Sequence, residues 1–278
     1  MIKTYYRPQS LDEALKLISN ESEKNAPLAG GTTLALNPRG IDGLVDLAGL
    51  KLSGIQRPPL GLRIGATTPI REIQRSEPVR QFAGGILAES AKNYLTALIR
   101  NRATIGGVLS AGNFWADIST ALVALNASLR VMRLGNGGGK PQDVLVPLEE
   151  FVQKGPRKSL AGGILAEIQV PTPASGSKFA CTRLAKVETD ISILSAAVMV
   201  TLSGKSVQAV RVVVGTGARP VRLRSIEDRA AGKSIEQIRD AAAQAASEIP
   251  AESDIRASAD YRRAVAAVLV RRLLQSLT

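Results

Sequence analysis

The chain has 278 residues, 45% of them hydrophobic and 22% charged, which is enough to bury a substantial core in two domains, or in one domain with a sizeable lobe. Its formal charge of +12 is typical of a chain with an acidic protein partner or an anionic ligand, or it serves simple solubility, and because only 3% of the residues are aromatic, a nucleic-acid partner is disfavoured. No apolar run reaches the ~18 residues of a membrane span, and the first residues lack the apolar stretch of a secretory signal, so we expect a cytoplasmic protein.

The cysteine and histidine content restricts the chemistry of the chain. There is one cysteine, Cys181, and no histidine. A single thiol cannot form an intrachain disulfide or hold an iron–sulfur cluster, and the usual zinc ligand sets and the Ser-His or Cys-His nucleophile pairs are also excluded. If the protein carries out redox chemistry, we expect an organic, non-covalently bound cofactor and no metal site on this chain.

The first predicted elements are a helix, two strands and a second helix. Ser10-Leu11-Asp12-Glu13 is typical of a capping box, in which Ser10 and Glu13 satisfy each other's exposed amides at the start of a helix. Strands are predicted over 44–47 and 62–66, and a short helix over 70–75. This mixed order predicts an α+β protein, or a small α/β lobe that leads into one. The first helix has one apolar stripe, made of Leu11, Ala14, Leu15 and Ile18.

Two glycine motifs interrupt these elements. Paired glycines can take positive φ and let successive backbone N–H groups point into one concavity, and flanking threonines add donors without bulk. Two such motifs facing each other would suit a pyrophosphate, although each taken singly is more often a plain turn. The motifs are Ala29-Gly30-Gly31-Thr32-Thr33 and Thr104-Ile105-Gly106-Gly107.

The middle of the chain predicts a buried helix over 118–127 and then a hairpin. Strands over 129–132 and near Val144 are joined by a flexible glycine-rich tip over 135–139, read as a plain surface turn. A strand ends at 168–173, and a linker is predicted over 174–177.

The last hundred residues predict a separate lobe. Two β-rich runs, 196–202 and 207–214, are joined by the hairpin signal Ser203-Gly204-Lys205-Ser206. That segment and Gly232-Lys233-Ser234 contain a GKS triplet, but both lack the upstream glycine of a phosphate-binding loop, so a turn and a helix cap are predicted. Helices follow from near Ser234 and from about Asp260. On the second helix we expect one apolar side, made of Tyr261, Ala264, Val265, Val268 and Leu269.

Taken in order, these motifs resemble a known family. The most specific match is Ile99-Arg100-Asn101-Arg102-Ala103-Thr104-Ile105-Gly106-Gly107, followed by the acid Asp117. The chain resembles the FAD-binding (medium) subunit of the xanthine dehydrogenase and carbon monoxide dehydrogenase family of molybdenum hydroxylases, and the matching flavin segment of fused xanthine oxidoreductases. Five further matching segments spread the resemblance over nearly the whole chain: 6–14, 29–33, 64–68, 163–171 and 254–262.

The resemblance implies an α+β fold in two parts. Residues 1–172 would form a two-subdomain FAD-binding domain of the PCMH/vanillyl-alcohol-oxidase-like type, with a subdomain boundary near 55–60. Residues 175–278 would form a smaller C-terminal lobe, with an antiparallel sheet and helices, that covers part of a flavin held between the two N-terminal subdomains.

The resemblance also implies roles for individual residues. The cofactor would be non-covalent FAD, with its pyrophosphate held by the glycine motifs: Ala29, Gly30, Gly31, Thr32, Thr33, Thr104, Gly106 and Gly107. Asp117 would accept hydrogen bonds from the sugar portion, and Ile164 and Leu165 would be apolar walls near a ring. Arg183 and Asp190 would lie near the flavin, where a cation favours its reduced, anionic form. The alternative for Arg183 and Asp190 is a surface ion pair.

The chain departs from the family pattern at two places. Val108 replaces the asparagine that usually follows the second Gly-Gly, which removes a polar contact to FAD. Phe114-Trp115 replaces a small, proline-containing segment before the acid. Trp115 would stack on the cofactor, belong to the core or lie at a subunit interface.

The function implied by the resemblance is electron transfer within a complex, with no catalytic residue on this chain. A large subunit with a molybdenum cofactor and a small subunit with two [2Fe–2S] clusters would be its partners. Electrons would pass from the clusters to FAD and on to NAD⁺ or another acceptor. Two alternatives stay open, a stand-alone flavin oxidoreductase and a degenerate, cofactor-free scaffold subunit.

Overall fold

The computed structural model describes residues 2–20, 22–36, 38, 40–135 and 139–278. They divide into two compact units, each made of three chain segments. Unit 1 consists of Met1–Glu72, Ala97–Asn113 and Ala127–Val170. Unit 2 consists of Ile73–Thr96, Phe114–Asn126 and Pro171–Thr278.

The described strands form three sheets. In chain order the strands are β1 (Thr4–Tyr6), β2 (Asn25–Leu28), β3 (Gly43–Asp46), β4 (Ile55–Gln56), β5 (Gly61–Gly65), β6 (Ser128–Gly135), β7 (Gly139–Pro147), β8 (Ile164–Pro171), β9 (Ser177–Leu184), β10 (Leu194–Ser203), β11 (Ser206–Gly215) and β12 (Pro220–Arg222).

The helices are mostly short. In chain order the described α-helices are α1 (Leu11–Ile18), α2 (Ile70–Arg75), α3 (Glu77–Arg80), α4 (Ile86–Lys92), α5 (Ala97–Arg102), α6 (Ile105–Ser110), α7 (Asp117–Ala124), α8 (Leu148–Lys154), α9 (Pro156–Leu160), α10 (Arg224–Asp228), α11 (Ile235–Ala245) and α12 (Ala259–Gln275).

Unit 1 contains two sheets. The smaller has the order β1-β3-β2, and both of its strand pairs are parallel. The larger has the order β4-β5-β8-β6-β7, in which β4 and β5, β6 and β7, and β6 and β8 pair antiparallel. The predicted hairpin over 129–144 is therefore confirmed as β6 and β7. Residues 136–138 of its predicted tip lie outside the described residues.

Helix α1 begins as the sequence predicts, with one difference. The Ser10 hydroxyl accepts from the Glu13 N–H at 3.2 Å, but the Glu13 carboxylate accepts from the N–H of Gln9 (2.8 Å), one residue before the expected partner. The predicted apolar stripe is confirmed, because Ala14 and Leu15 are fully buried and pack in a cluster with Val45, Leu47 and Ile164.

Unit 2 is built on the antiparallel sheet β12-β11-β10-β9, which confirms the predicted hairpin of 196–214 and the antiparallel C-terminal sheet. Alternate side chains of β10 (Leu194, Ala196, Val198 and Val200) lie in a core cluster with apolar residues of α11 and α12. The linker predicted over 174–177 is found at residues 172–176, since β8 ends at Pro171 and β9 begins at Ser177.

Helix α7 packs against β10 and β11 in unit 2. It is buried along its whole length, as predicted for 118–127, but it begins at Asp117 and ends at Ala124. The chain then turns at Asn126, which has a φ of +59° and therefore cannot continue a right-handed helix. No helix in the described part of the chain has the length and apolar character needed to cross a membrane.

The buried face of α12 differs from the predicted one. Tyr261 and Val268 are 48% and 45% exposed, whereas Arg262 is only 2% exposed and is the first residue of the buried face. The Arg262 guanidinium donates to the Ile193 carbonyl (3.2 Å), the Asp254 carboxylate (2.8 Å) and the Glu252 carbonyl. These acceptors draw a charged side chain inward and turn the helix away from the predicted face. The rest of the buried face is Ala266, Leu269, Val270, Leu273 and Leu274.

Candidate functional site

The first glycine motif forms a tight loop after β2, in unit 1. Gly31 has a φ of +72°, a conformation that only glycine adopts without strain. At Gly30 the constraint is space, because a Cβ there would lie 1.8 Å from the carbonyl oxygen of Arg102. The loop is thus pressed against the end of α5, and any side chain at Gly30 would force the two segments apart.

The backbone amides of this loop are open. Within the described part of the chain, the N–H groups of residues 30–33 find no hydrogen-bond acceptor, whereas the carbonyls of Gly31 and Thr33 accept from Ala35 and Leu36. These four residues are partly or fully exposed. A row of unpaired donors at the surface is the arrangement that binds phosphate and other anions.

The second glycine motif has a different structure from the one predicted. Thr104 is the N-cap of α6, and Gly106 and Gly107 form the first turn of that helix, so neither takes positive φ. The three amides here already have acceptors. Ile105 donates to the Thr68 carbonyl (3.0 Å), Gly106 to the Ala66 carbonyl (2.8 Å), and Gly107 to the Thr104 hydroxyl (3.2 Å).

Gly106 is needed for packing. A Cβ at this position would lie 2.6 Å from the Cβ of Ala66 and 2.7 Å from its carbonyl oxygen. The close approach fixes α6 against the residue that follows β5. Thr104 is only 6% exposed, while Gly107 is partly exposed.

Ile164 and Leu165 begin β8 and are both buried. Ile164 belongs to the cluster formed by α1 and β3, so the structure places it in the core of unit 1. Because successive side chains of a strand point to opposite faces, Leu165 lies on the other side of the sheet.

The C-terminal end of α6 returns to the glycine loop. Gly112, with a φ of +73°, ends the helix, and its N–H donates to the carbonyl of Leu109 (3.1 Å). The N–H of Asn113 donates to the carbonyl of Val108 (3.1 Å), which completes a Schellman motif. The Asn113 side chain then reaches the loop, where its Nδ2 donates to Thr33 Oγ1 at 2.9 Å.

Asp117 lies at the first position of α7, in unit 2, and is 9% exposed. Its Oδ1 accepts from the Ser192 hydroxyl at 2.6 Å, and its Oδ2 accepts no hydrogen bond from the described residues. Burial raises the pKa of Asp117 from 3.8 to about 6, against the opposing effects of the Ser192 hydrogen bond and the Arg183 charge. The open oxygen could accept a hydroxyl donor.

Arg183 pairs with Asp117 and not with the Asp190 carboxylate. Its Nε lies 3.6 Å from Asp117 Oδ2, and its terminal nitrogens donate to the backbone carbonyls of Asn93, Glu188 and Asp190. The alternative of an Arg183–Asp190 surface ion pair is therefore wrong, since the side chain of Asp190 accepts from the Ile191 N–H (2.7 Å) and lies 3.8 Å from Arg256.

A cavity of about 220 Å³ opens beside this pair within unit 2. Its polar lining includes Asp117, Arg183, Thr120 and Ser195, and the last two share a hydrogen bond of 2.9 Å. Cys181 also lines it, and burial raises the pKa of its thiol to about 11, so the thiol is protonated at neutral pH. In the described residues, no cluster of three or more cysteine, aspartate or glutamate side chains could hold a metal ion.

Phe114 and Trp115, which depart from the family pattern before Asp117, both pack within unit 2. The ring of Trp115 stacks on that of Tyr94, with 5.5 Å between centroids and 7° between planes. Phe114 is buried, whereas Trp115 is partly exposed. Val108, the other departure, is 2% exposed and packs in the interior.

Two residues of these sites were missed in the sequence. Asn113 had a local signal, since Gly112 after a helical stretch predicts a C-terminal cap that fixes the next residue. Ser192 had none, because it reaches Asp117 from 75 positions away.

Two family models match the chain. The model described as the FAD binding domain in molybdopterin dehydrogenase matches residues 1–173, and the CO dehydrogenase flavoprotein C-terminal domain matches residues 180–277. Among curated proteins, the chain is 31% identical to the carbon monoxide dehydrogenase medium chain of Hydrogenophaga pseudoflava, covering 98% of this chain and 96% of the relative. It is 28% identical to the glyceraldehyde dehydrogenase medium chain of Sulfolobus acidocaldarius, covering 96% and 95%.

Solved structures agree with these matches. A chain of the carbon monoxide dehydrogenase from Hydrogenophaga pseudoflava superimposes with a TM-score of 0.87 at 27% identity, covering 100% of this chain and 97% of that one. A chain of quinoline 2-oxidoreductase from Pseudomonas putida 86 gives a TM-score of 0.85 at 23% identity, covering 100% and 97%, which shows the same fold. The predicted two-part FAD-binding fold is confirmed.

Proposed function

Because the chain belongs to the family of FAD-binding medium subunits of molybdenum hydroxylases, we propose that its loop 29–33 binds the diphosphate of FAD and that the chain is the electron relay of a cytoplasmic complex. The partners are a large subunit with the molybdenum cofactor and a small subunit with two [2Fe–2S] clusters. When bound, FAD connects the one-electron chemistry of such clusters with a two-electron acceptor, for which NAD⁺ is the first candidate.

The residues of unit 1 fit the diphosphate of FAD. The N–H groups of residues 30–33 have no acceptor among the described residues, and the hydroxyls of Thr32 and Thr33 lie on the same loop. Ala29 leads into the loop, and Gly30 lets it approach Arg102 closely. Thr104, Gly106 and Gly107 would act indirectly, by fixing the start of α6 close after Arg102 in the chain. Ile164 and Leu165 supply apolar support, and Leu165, on the sheet face opposite Ile164, is the better candidate for a ring contact.

Unit 2, taken by itself, offers groups that suit the polar parts of FAD. Asp117 offers a buried carboxylate oxygen that accepts no hydrogen bond from the described residues, and a sugar hydroxyl is the neutral donor that such an oxygen needs. Arg183 is held rigidly by three carbonyls, so its charge has a fixed position. Asp190 positions Arg183 through its backbone carbonyl, and it binds Arg256 through its side chain.

The observation that carries this proposal is the row of open amides at 30–33, and Gly30 gives its test. We expect the purified full chain to take up FAD, seen as flavin absorbance after gel filtration. Gly30→Ala should lose most of that FAD, because the new Cβ would overlap the Arg102 carbonyl and displace the amides.

Gly49→Ala is the matched control. A Cβ there would meet nothing closer than the Pro8 carbonyl oxygen at 3.8 Å, an ordinary contact. This variant should retain FAD and thermal stability. A wild-type chain that takes up no FAD, alone or with its partners, would favour a cofactor-free scaffold. Full FAD occupancy in Gly30→Ala would remove the loop from the site.

A further inference from the structure

The Schellman motif at the end of α6 has an unusual residue in its last position. In this motif the residue after the capping glycine commonly makes an apolar contact with the last turn of the helix. Here that residue is Asn113, and its counterpart in the last turn is Val108, which is buried. The polar side chain of Asn113 donates a hydrogen bond to Thr33 in the glycine loop of unit 1.

The hydrogen bond between Asn113 and Thr33 sets the direction of the Thr33 hydroxyl. Asn113 Nδ2 donates to Thr33 Oγ1 at 2.9 Å, so Oγ1 is the acceptor in this contact. A hydroxyl has one proton and two lone pairs, and the proton of Thr33 is therefore left to donate elsewhere. Thr33 is exposed and belongs to the row of open amides, so this proton is a further donor beside them.

The position of Asn113 is well fixed. Its backbone N–H donates to the Val108 carbonyl at 3.1 Å. The preceding residue, Gly112, has a φ of +73°, which ends the helix and turns the chain. A residue held on its backbone and bonded through its side chain loses little additional freedom when a ligand arrives, so the donor is set in advance.

We propose that Asn113 is a positioning residue for FAD, which holds the Thr33 hydroxyl as a donor to the diphosphate. The inference rests on the proposed function of the loop. It predicts that Asn113 acts only through Thr33, so the effects of removing the two side chains must not add.

The test is a double-mutant cycle on the full chain, with the dissociation constant for FAD as its readout. Thr33→Val removes the hydroxyl at constant size and should weaken FAD about 10- to 100-fold, the range for losing a hydrogen bond to a charged group. Asn113→Ala loses only the orientation and should weaken FAD about 2- to 10-fold. The double variant should bind FAD as Thr33→Val does, because nothing is left to orient.

Three further variants sharpen the cycle. Thr33→Ser keeps the hydroxyl and should bind like the wild type. Asn113→Asp can only accept, so Thr33 would turn its proton to the carboxylate, and binding should be weaker than in Asn113→Ala. Asn20→Ala replaces an exposed asparagine whose side chain accepts hydrogen bonds from Ser22, and as the matched control it should leave FAD affinity unchanged.

Additive losses in the double variant, or wild-type affinity in Asn113→Asp, would overturn the role of Asn113 while leaving FAD binding intact. A wild-type chain without FAD affinity would instead overturn the proposed function. If Asn113→Ala fails to fold, Asn113→Asp compared with Thr33→Ser still decides the direction of the hydrogen bond.

Discussion

At the scale of single residues, Asp117 is an acid in an environment that differs strongly from water. The Asp117 side chain is buried, and its Oδ1 accepts a hydrogen bond from Ser192. Its Oδ2 lies 3.6 Å from Arg183 Nε and accepts no hydrogen bond from the described residues. Burial therefore outweighs the neighbouring cation and raises the pKa from 3.8 to about 6. Ionisation of Asp117 therefore lowers the free energy of unfolding of the chain.

This cost predicts a pH dependence of stability. Because the folded pKa is the higher one, the folded chain keeps a proton between about pH 4 and 6 that the unfolded chain has lost, so the free energy of unfolding falls as pH rises through that window. A pKa raised from 3.8 to about 6 corresponds to about 3 kcal/mol. Asp117→Asn cannot ionise, so its stability relative to the wild type should rise by about this amount between pH 4 and 7 in urea unfolding without FAD.

Ser192→Ala provides the companion measurement. It removes the hydrogen bond that favours the charged form, so the folded pKa and with it the upper end of the pH window should rise, and the loss of stability at pH 7 should increase. A constant difference between Asp117→Asn and the wild type across pH 4–7 would contradict the raised pKa.

Sequence patterns located the residues of the candidate site better than they predicted how these residues work. Both glycine motifs were predicted to expose their amides. In the structure this holds for residues 30–33, whereas the amides of Ile105, Gly106 and Gly107 are used by Ala66, Thr68 and Thr104. A Gly-Gly pair shows where side chains are not tolerated. Which amides remain open depends on neighbours distant in sequence, and no local pattern records them. The binding roles themselves stay predictions.

At the scale of elements, the sequence predicts helix caps more reliably than it predicts which face of a helix is buried. Ser10 and Ser234 cap α1 and α11 as the sequence predicts, because a cap is decided within four residues. The predicted face of α12 was right at Leu269, which is buried, but wrong at Tyr261 and Val268, which are exposed. The face depends on the residues against which the helix packs. Arg262 has three acceptors there, the backbone carbonyls of Ile193 and Glu252 and the carboxylate of Asp254.

The buried Arg262 gives a prediction for α12. Arg262→Ala should lower the free energy of unfolding by about 1–3 kcal/mol, the range for leaving a buried polar group without its partner, because the Ile193 carbonyl loses its donor while the half-exposed Asp254 keeps its backbone donors. Arg271→Ala, at an exposed position of the same helix, should change it by less than about 0.5 kcal/mol. Chemical denaturation of both variants measures the two values, and equal values would show that Arg262 is not the anchor of α12.

At the scale of the whole chain, the compact units do not follow the chain in order. The predicted division into residues 1–172 and 175–278 stays a prediction. Segments 73–96 and 114–126 belong to unit 2, because α4 and α7 pack against β9 and β10 of its sheet. Asp117 therefore belongs to the same unit as Arg183. A single boundary along the chain cannot describe this, because unit 2 consists of three separate segments.

The composition of the whole chain predicts which activity the isolated chain has without its partner subunits. With FAD bound, the isolated chain should show at most slow reduction by NADH and no hydroxylation of purines, aldehydes, N-heterocycles or carbon monoxide. Oxidising such a carbon requires a strongly oxidising centre and a substrate pocket. With one cysteine and no histidine, this chain lacks the ligands that a cluster or a zinc site needs.

The measurement is substrate oxidation by the FAD-loaded chain, before and after the large and small partners are added. We expect the rate to appear only in the complete assembly. Because the chain carries a formal charge of +12, we also expect assembly with acidic partners to slow as salt is raised. Substrate oxidation by the isolated chain at the rate of the full complex would contradict the relay and establish a stand-alone flavin oxidoreductase. A rate that needs the partners but not FAD would show that this chain only holds the complex together.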